Sequence, residues 1–301
     1  IFTGAPVPHG ADTVVMQEKV KVEGGWLYVE DSALVQGRNV RLVGSEIAEG
    51  ALAMQAGTVI TPAAIGFLAS LGLTHVLIIP RPRIALIVTG DELQTPGEAL
   101  SFGQVYESNS QLLQSALQWL RFSQVEIHYA KDDLASLTQT LAAALSVADM
   151  VLLTGGVSVG DYDFVPKAAA AAGVEAIFHK IKQKPGKPLF FGMKHGVADA
   201  NSDAGRTNQT VVFGLPGNPA SVLTCFYQYV TVALEQLTGT PVAPMACRAQ
   251  IQSGYSKPIG LTHFLKADLQ LPKDEQAPIA VFVMGAQESF RLSSFAVSNV
   301  I

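Results

Sequence analysis

Four short loops concentrate the side chains able to do chemistry. Leu152-Leu153-Thr154-Gly155-Gly156-Val157-Ser158-Val159-Gly160-Asp161-Tyr162-Asp163 runs from an apolar segment into a glycine-rich turn with a hydroxyl at Ser158 and carboxylates at Asp161 and Asp163. Thr89-Gly90-Asp91-Glu92 follows IALIV, and Gly214-Leu215-Pro216-Gly217-Asn218-Pro219 follows VVF. Glycine permits unusual dihedrals and close backbone approach, which suits phosphate or a flat heterocycle. The fourth loop, Lys184-Pro185-Gly186-Lys187-Pro188, is stiffened by proline and can hold two ammonium groups toward an oxyanion. Each loop also has an ordinary reading: Asp163 as the cap of a helix starting at Phe164, Asp161, Asp91 and Glu92 as surface turn acids, the lysines as a solvated turn. One glycine-rich turn is a weak signal. Three such loops on the edge where strands end and helices begin, where open α/β sheets bind ligands, together point to one anionic ligand.

The elements that must position these loops follow from periodicity. After Pro80-Arg81-Pro82-Arg83, strands and helices alternate: 84–90, 108–120, 124–130, 132–148, 149–156, 164–173 and 174–180, ending in a buried strand, the Gly/Pro turn and a long helix over 211–239. This pattern predicts a multidomain α/β protein whose central domain, 82–242, is a doubly wound, mainly parallel sheet. Residues 1–49 alternate polar and apolar side chains around Gly24-Gly25 and predict a small β domain. Residues 50–81 predict a helical linking segment, with Thr61 as N-cap and Pro62 in the first turn. Residues 243–301 return to β character and predict a second small β domain.

Composition limits the partners. The 301 residues carry a formal net charge of −5 and only 15% charged side chains, against roughly 25% in soluble domains, which argues against a general nucleic-acid binder. No apolar run nears the 18 or more residues of a membrane span. Cys225 and Cys247 lack a CxxC or a nearby His pair, so neither a disulfide framework nor a zinc site is expected, and a reducing, cytoplasmic setting fits. The six histidines are scattered without metal-ligand spacing, and none is assigned a catalytic role. The opening IFTGAPVP already reads as structured sequence, as in a fragment of a longer protein.

TGAPVPHGADTVVMQE, TGDEL, SNSQLL, TGGVSVGDYDFV, KPGKPLFFG, GLPGNPAS and QESFRLSSFAVSNVI, in this order, resemble the molybdopterin molybdenumtransferases, the MoeA and gephyrin E-domain family. The resemblance covers nearly the whole chain. It implies insertion of molybdate into adenylylated molybdopterin with a divalent cation, normally Mg²⁺, and release of AMP. It implies that Gly90, Asp91, Gly155, Gly156, Ser158, Gly214, Pro216, Gly217 and Asn218 hold the nucleotide–pterin ligand, and that Glu92 and Asp163 act at the metal. Asp132, rather than Asp133, falls on a further functional acid and Lys180 on a functional lysine. Lys184, Lys187 and Pro188 match the molybdate loop, Ser289 the serine of a late QxS motif that also holds molybdate, and Thr3 a site threonine from the β domain. The chemistry is consistent: Mg²⁺ takes carboxylate and phosphate oxygens, and lysines with a hydroxyl suit an oxyanion.

The resemblance further implies a homodimer with sites between subunits, 50–81 as part of an elongated dimerisation domain, and contact with the molybdopterin adenylyltransferase. Departures bear on activity. Glu46 stands where the family usually has Asp, Leu261 and Lys266 stand at arginine positions, and Glu288 adds an acid beside Ser289. Lysine keeps the charge without the planar fork, and leucine keeps neither. Weakened molybdate binding is therefore expected, and a molybdopterin-binding homologue with lost metal insertion or a gephyrin-like scaffold are the alternatives.

Overall fold

The structure is a computed structural model describing residues 1–157, 163–196, 209–257, 259–272, 274 and 277–301. Its contacts divide the chain into two compact units, Ile1–His75 and Val76–Ile301.

In the first unit, β1 (Val20–Glu23) and β2 (Trp26–Val29) form an antiparallel hairpin registered from Val20 opposite Val29 to Glu23 opposite Trp26. Gly24 and Gly25 both adopt positive φ, the requirement of a two-residue turn matching strand twist. Helix α1 (Pro62–Ser70) starts as its sequence predicts: the Thr61 hydroxyl accepts from the Ala64 N–H at 3.2 Å. No residue of this unit is buried, and Val22 and Trp26 of the hairpin are exposed.

The second unit is built on alternating strands and helices. In chain order they are β3 (Ile84–Thr89), β4 (Leu93–Gln94), β5 (Val105–Tyr106), α2 (Asn109–Trp119), β6 (Val125–Ala130), α3 (Leu134–Val147), β7 (Met150–Thr154), α4 (Phe164–Ala171), β8 (Glu175–His179), β9 (Gln183–Lys184), β10 (Phe190–His195) and β11 (Gln209–Leu215). The central sheet has the order β6-β3-β7-β11-β10-β8. β6, β3, β7 and β11 are mutually parallel, whereas β10 runs antiparallel to both β11 and β8. β4 and β5 make a separate two-stranded pair. The β10 strand lies in the run after Pro188, to which the sequence pattern assigns no element.

Strand alternation sorts the core onto two faces. Ile84 and Leu86 of β3, with Met150 and Leu152 of β7, pack beneath α2 and the long helix after β11. Ala85 and Ile87, with Val151 and Leu153, pack beneath α3 and α4. The central strands are buried on both sides, as a parallel sheet covered by helices requires. The long helix comprises α5 (Pro219–Cys225), a π turn over Phe226–Val230 and α6 (Thr231–Thr238), and Gly239 ends it in the left-handed conformation. The C-terminal part contributes β12 (Gln250–Ile251), β13 (Thr262–His263), β14 (Ala267–Gln270), β15 (Ala280–Val283) and α7 (Ser293–Val297). β15 pairs with β12 and β14, while β13 pairs with β9, next to the lysine loop.

Candidate active site

Parallel register brings the loops to one edge. Val88 and Leu215 both lie beside Thr154, and Thr89 beside Ala130, so β6, β3, β7 and β11 end at nearly the same level. There Gly155 (φ 86°) and Gly156 (φ 61°) turn the chain against the end of β3. A Cβ on Gly155 would lie 2.2 Å from the Thr89 carbonyl oxygen, and one on Gly156 would lie 4.0 Å from Asp132 Oδ1. Glycine is required here because another strand's backbone passes where a side chain would stand. Across the turn, the Glu92 carboxylate folds back to 2.9 Å from the position a Cβ on Gly90 would occupy.

The adjacent Asp132 and Asp133 divide their work. Asp133 caps α3, its carboxylate accepting from the Ser136 N–H at 2.8 Å. Asp132 turns toward the edge, and its own N–H donates to Asp91 Oδ1 at 3.3 Å. Burial first, then the charges of Asp91 and Glu92, push the Asp132 carboxyl above the usual carboxylate range; the nearby Thr89 hydroxyl opposes the shift without completing a hydrogen bond. Among the described residues, Asp132 Oδ1, Asp163 Oδ1 and the Thr89 and Thr154 hydroxyls are buried without a protein partner. Such atoms are rare in folded proteins, and unpartnered oxygens of this kind fit a polar ligand or a hard cation brought with it.

Asp163 occupies the position preceding α4, but its side chain makes no cap hydrogen bond. Its Oδ2 lies 3.4 Å from His179 Nε2, at the end of β8. Burial raises the Asp163 carboxyl, opposed by His179, Lys180 and Lys167. His179, given no role from sequence, thus faces a predicted site acid; the available signal was its place as the last strand residue before the lysine loop. No hydrogen bond or ion pair among the described residues joins Glu92 to Asp163: Glu92 groups with Asp91 and Asp132, and Asp163 with His179 and Lys180. Among the described residues no group of three or more His, Cys, Asp or Glu side chains closes around a metal position.

The lysine loop is held from beneath. Gln183 donates to the Pro185 carbonyl at 3.0 Å and accepts a short hydrogen bond from the Tyr229 hydroxyl. Gly186 (φ 90°) packs so closely that a Cβ would lie 2.5 Å from Cys225 Sγ. Burial pushes the Cys225 thiol up to about 12, so it serves as packing rather than as a nucleophile. The Ile181 N–H closes the loop on the Lys187 carbonyl at 3.0 Å, and β13 borders it through Phe264 N–H to Lys184 O at 2.9 Å. Lys180, Lys184 and Lys187 are exposed, and Lys180 adopts a positive φ of 68°, as Asn39 and Arg121 also do elsewhere in the chain. Pro188 is half-buried.

The GLPGNP loop meets two other predicted segments. Gly214 and Pro216 are buried, whereas Gly217 and Asn218 are exposed. Asn109, from SNSQLL, donates to the Gly217 carbonyl at 2.8 Å, and Asn218 Nδ2 donates to the Ser289 hydroxyl at 2.9 Å. Ser289 and Asn218, 71 positions apart, are thus brought together. Lys266, expected as a weakened fork for molybdate, is instead 4% exposed, its ammonium bonded to the carbonyls of Glu288 and Arg291 at 3.2 Å each. The Glu288 carboxylate pairs with Arg291 at 3.0 Å. Thr3 lies in the first unit, exposed, in a turn closed by Ala5 N–H to Phe2 O at 3.0 Å. Ser158 and Asp161 lie outside the described residues.

An α/β sheet with acids, glycine turns and a lysine loop at its carboxyl edge defines a binding domain for a phosphorylated ligand. Residues 85–236 match the family described as a probable molybdopterin binding domain, and residues 1–72 match the MoeA N-terminal region (domain I and II). The chain is 32% identical over 301 residues to the molybdopterin molybdenumtransferase of Haemophilus influenzae, covering 99% of this chain and 70% of that one. Against the molybdopterin molybdenumtransferase of Staphylococcus aureus strain Mu50 it is 31% identical, covering 90% of this chain and 62% of the relative. The crystal structure of the molybdopterin biosynthesis moeA protein from Pyrococcus horikoshii OT3 superposes with a TM-score of 0.70 at 27% identity, over 99% of this chain and 68% of that one. The chain belongs to the molybdopterin molybdenumtransferase (MoeA) family, and so to molybdenum cofactor biosynthesis.

Proposed function

We propose that this chain inserts molybdate into adenylylated molybdopterin and releases AMP, assisted by Mg²⁺. The observation that carries this reading is Asp132: a partly buried carboxylate pushed up by burial and by the acids Asp91, Glu92 and Asp133, set against the Gly155-Gly156 turn. Such a group calls for a cation from outside the protein. Glu92, with Asp132 beside it, and separately Asp163 are the carboxylates that would meet Mg²⁺ arriving with the ligand, and the ion would supply charge neutralisation for the ligand's phosphates.

The chain's own groups have separable roles in this reading. Gly90, Gly155, Gly156 and Gly217 let the ligand approach the backbone. Lys184 and Lys187 attract the tetrahedral oxyanion, with Ser289 adding a hydroxyl from the facing loop. Lys180 supplies a positive charge that favours the ionised Asp163 carboxylate. Thr3 joins the site from the first unit of a partner protomer in a homodimer. Contact with the molybdopterin adenylyltransferase and a cytoplasmic setting belong to the same reading.

The test is molybdate-dependent release of AMP from adenylylated molybdopterin, followed with and without Mg²⁺. Wild type is expected to turn over only with both, and Asp132→Asn to lose most of the Mg²⁺ response. Ligand binding without AMP release would favour a homologue that has lost metal insertion.

A further inference from the structure

The second unit contains a buried ammonium that the proposed chemistry does not use. Lys266 immediately precedes β14, is 4% exposed, and directs Nζ to the carbonyls of Glu288 and Arg291, which flank Ser289. Its backbone is gripped from the same turn: the Lys266 N–H donates to Gln287 Oε1 at 2.9 Å, and Gln287 Nε2 donates to the Lys266 carbonyl at 2.8 Å and the Met284 carbonyl at 2.7 Å. The Arg291 carbonyl also accepts from the Ser294 hydroxyl at 3.0 Å, so the turn is pinned on both sides of Ser289. At its apex the Ser289 hydroxyl accepts from Asn218 in the GLPGNP loop.

Two carbonyls aimed at one buried cation, with the cation's backbone clamped by the turn's own glutamine, make a rigid support. We propose that Lys266 and Gln287 are positioning residues that hold Ser289 against the GLPGNP loop, so that its hydroxyl is set in advance for the oxyanion. Lys266 then acts without touching the ligand, and its charge is spent on the turn's carbonyls. A flexible turn would have to order Ser289 at each binding event, and preorganisation removes that cost. The inference rests on the proposed oxyanion role of Ser289.

The test is a double-mutant cycle on molybdate affinity by calorimetric titration into wild type, Ser289→Ala, Lys266→Met and the double variant. Ser289→Ala should weaken molybdate about tenfold, as expected for one hydrogen bond to an anion. Lys266→Met should weaken it comparably, and the double variant no further than Ser289→Ala alone, because the two substitutions remove one effect. Lys266→Arg, which keeps the donors, should recover part of the affinity. Should Lys266→Met not fold, Gln287→Met opens the same clamp from the other side and enters the cycle in its place. Additive losses would overturn the positioning role, since Lys266 would then act independently of Ser289. No effect of Ser289→Ala would instead remove the oxyanion reading on which the inference stands.

Discussion

Asp132 and Asp133 are the same residue type at adjacent positions, and the chain uses them oppositely: one completes a helix, the other is left among like charges. Because the Asp132 carboxyl is raised in the folded state, it contributes stability while protonated and loses that contribution as pH rises through the raised value. Asp132→Asn should therefore raise Tm at neutral pH, with the gain shrinking as pH falls through the raised value and the wild-type carboxyl takes up its proton. Added Mg²⁺ should narrow the gap by stabilising wild type alone; a gap independent of both pH and Mg²⁺ would remove the cation argument. Asp163→Ala should leave Tm nearly unchanged, because there is no cap bond to lose, where a working cap is worth about 0.5–2 kcal/mol. Its AMP release should nevertheless collapse. The His179 ring packs edge-on against Phe190, so His179→Phe preserves packing while deleting the nitrogen facing Asp163. A fall in turnover at unchanged Tm is expected; unchanged turnover would make His179 a packing residue only.

Strands whose side chains alternate between two helical layers were readable because burial on both faces leaves continuous apolar runs such as IALIV and MVLL. The glycine turns were readable for a related reason: close approach forces a residue type. Other features depend on partners far along the chain. β10 follows a proline-rich loop and carries glycine, lysine and histidine, so neither strict alternation nor a purely apolar run marks it. The pairing of Asn218 with Ser289 and the burial of Lys266 arise only when the C-terminal segment folds onto the sheet edge. An element-level comparison tests the close-approach argument. Gly155→Ala should cost upward of about 2 kcal/mol in urea unfolding, from positive φ and a backbone clash that no rotamer relieves. Gly217→Ala, with nothing within 4 Å of the added carbon, should stay within about 0.5 kcal/mol. Equal costs would mean that the Gly155 turn yields, and that its glycine is not imposed by Thr89.

At the scale of the whole molecule, Thr3 lies in the first compact unit and the acids and lysines lie in the second. The first unit buries none of its residues. In the proposed homodimer, with sites between protomers, Thr3 of one copy would serve the Asp163 of the other. That arrangement has an arithmetic signature. Thr3→Ala and Asp163→Ala should each be inactive alone. After subunit exchange in an equal mixture, half of the dimers carry one variant of each kind. In these, one site gathers both substitutions and the other gathers neither, so the mixture should recover about a quarter of wild-type AMP release. Sites completed within a single chain can never regain both residues by exchange, and such a mixture would stay inactive however long it equilibrates. Sedimentation of the same mixture, with one variant carrying a fluorescent label, establishes that exchange has occurred. Mixed dimers without recovered turnover would assign Thr3 to its own chain's site.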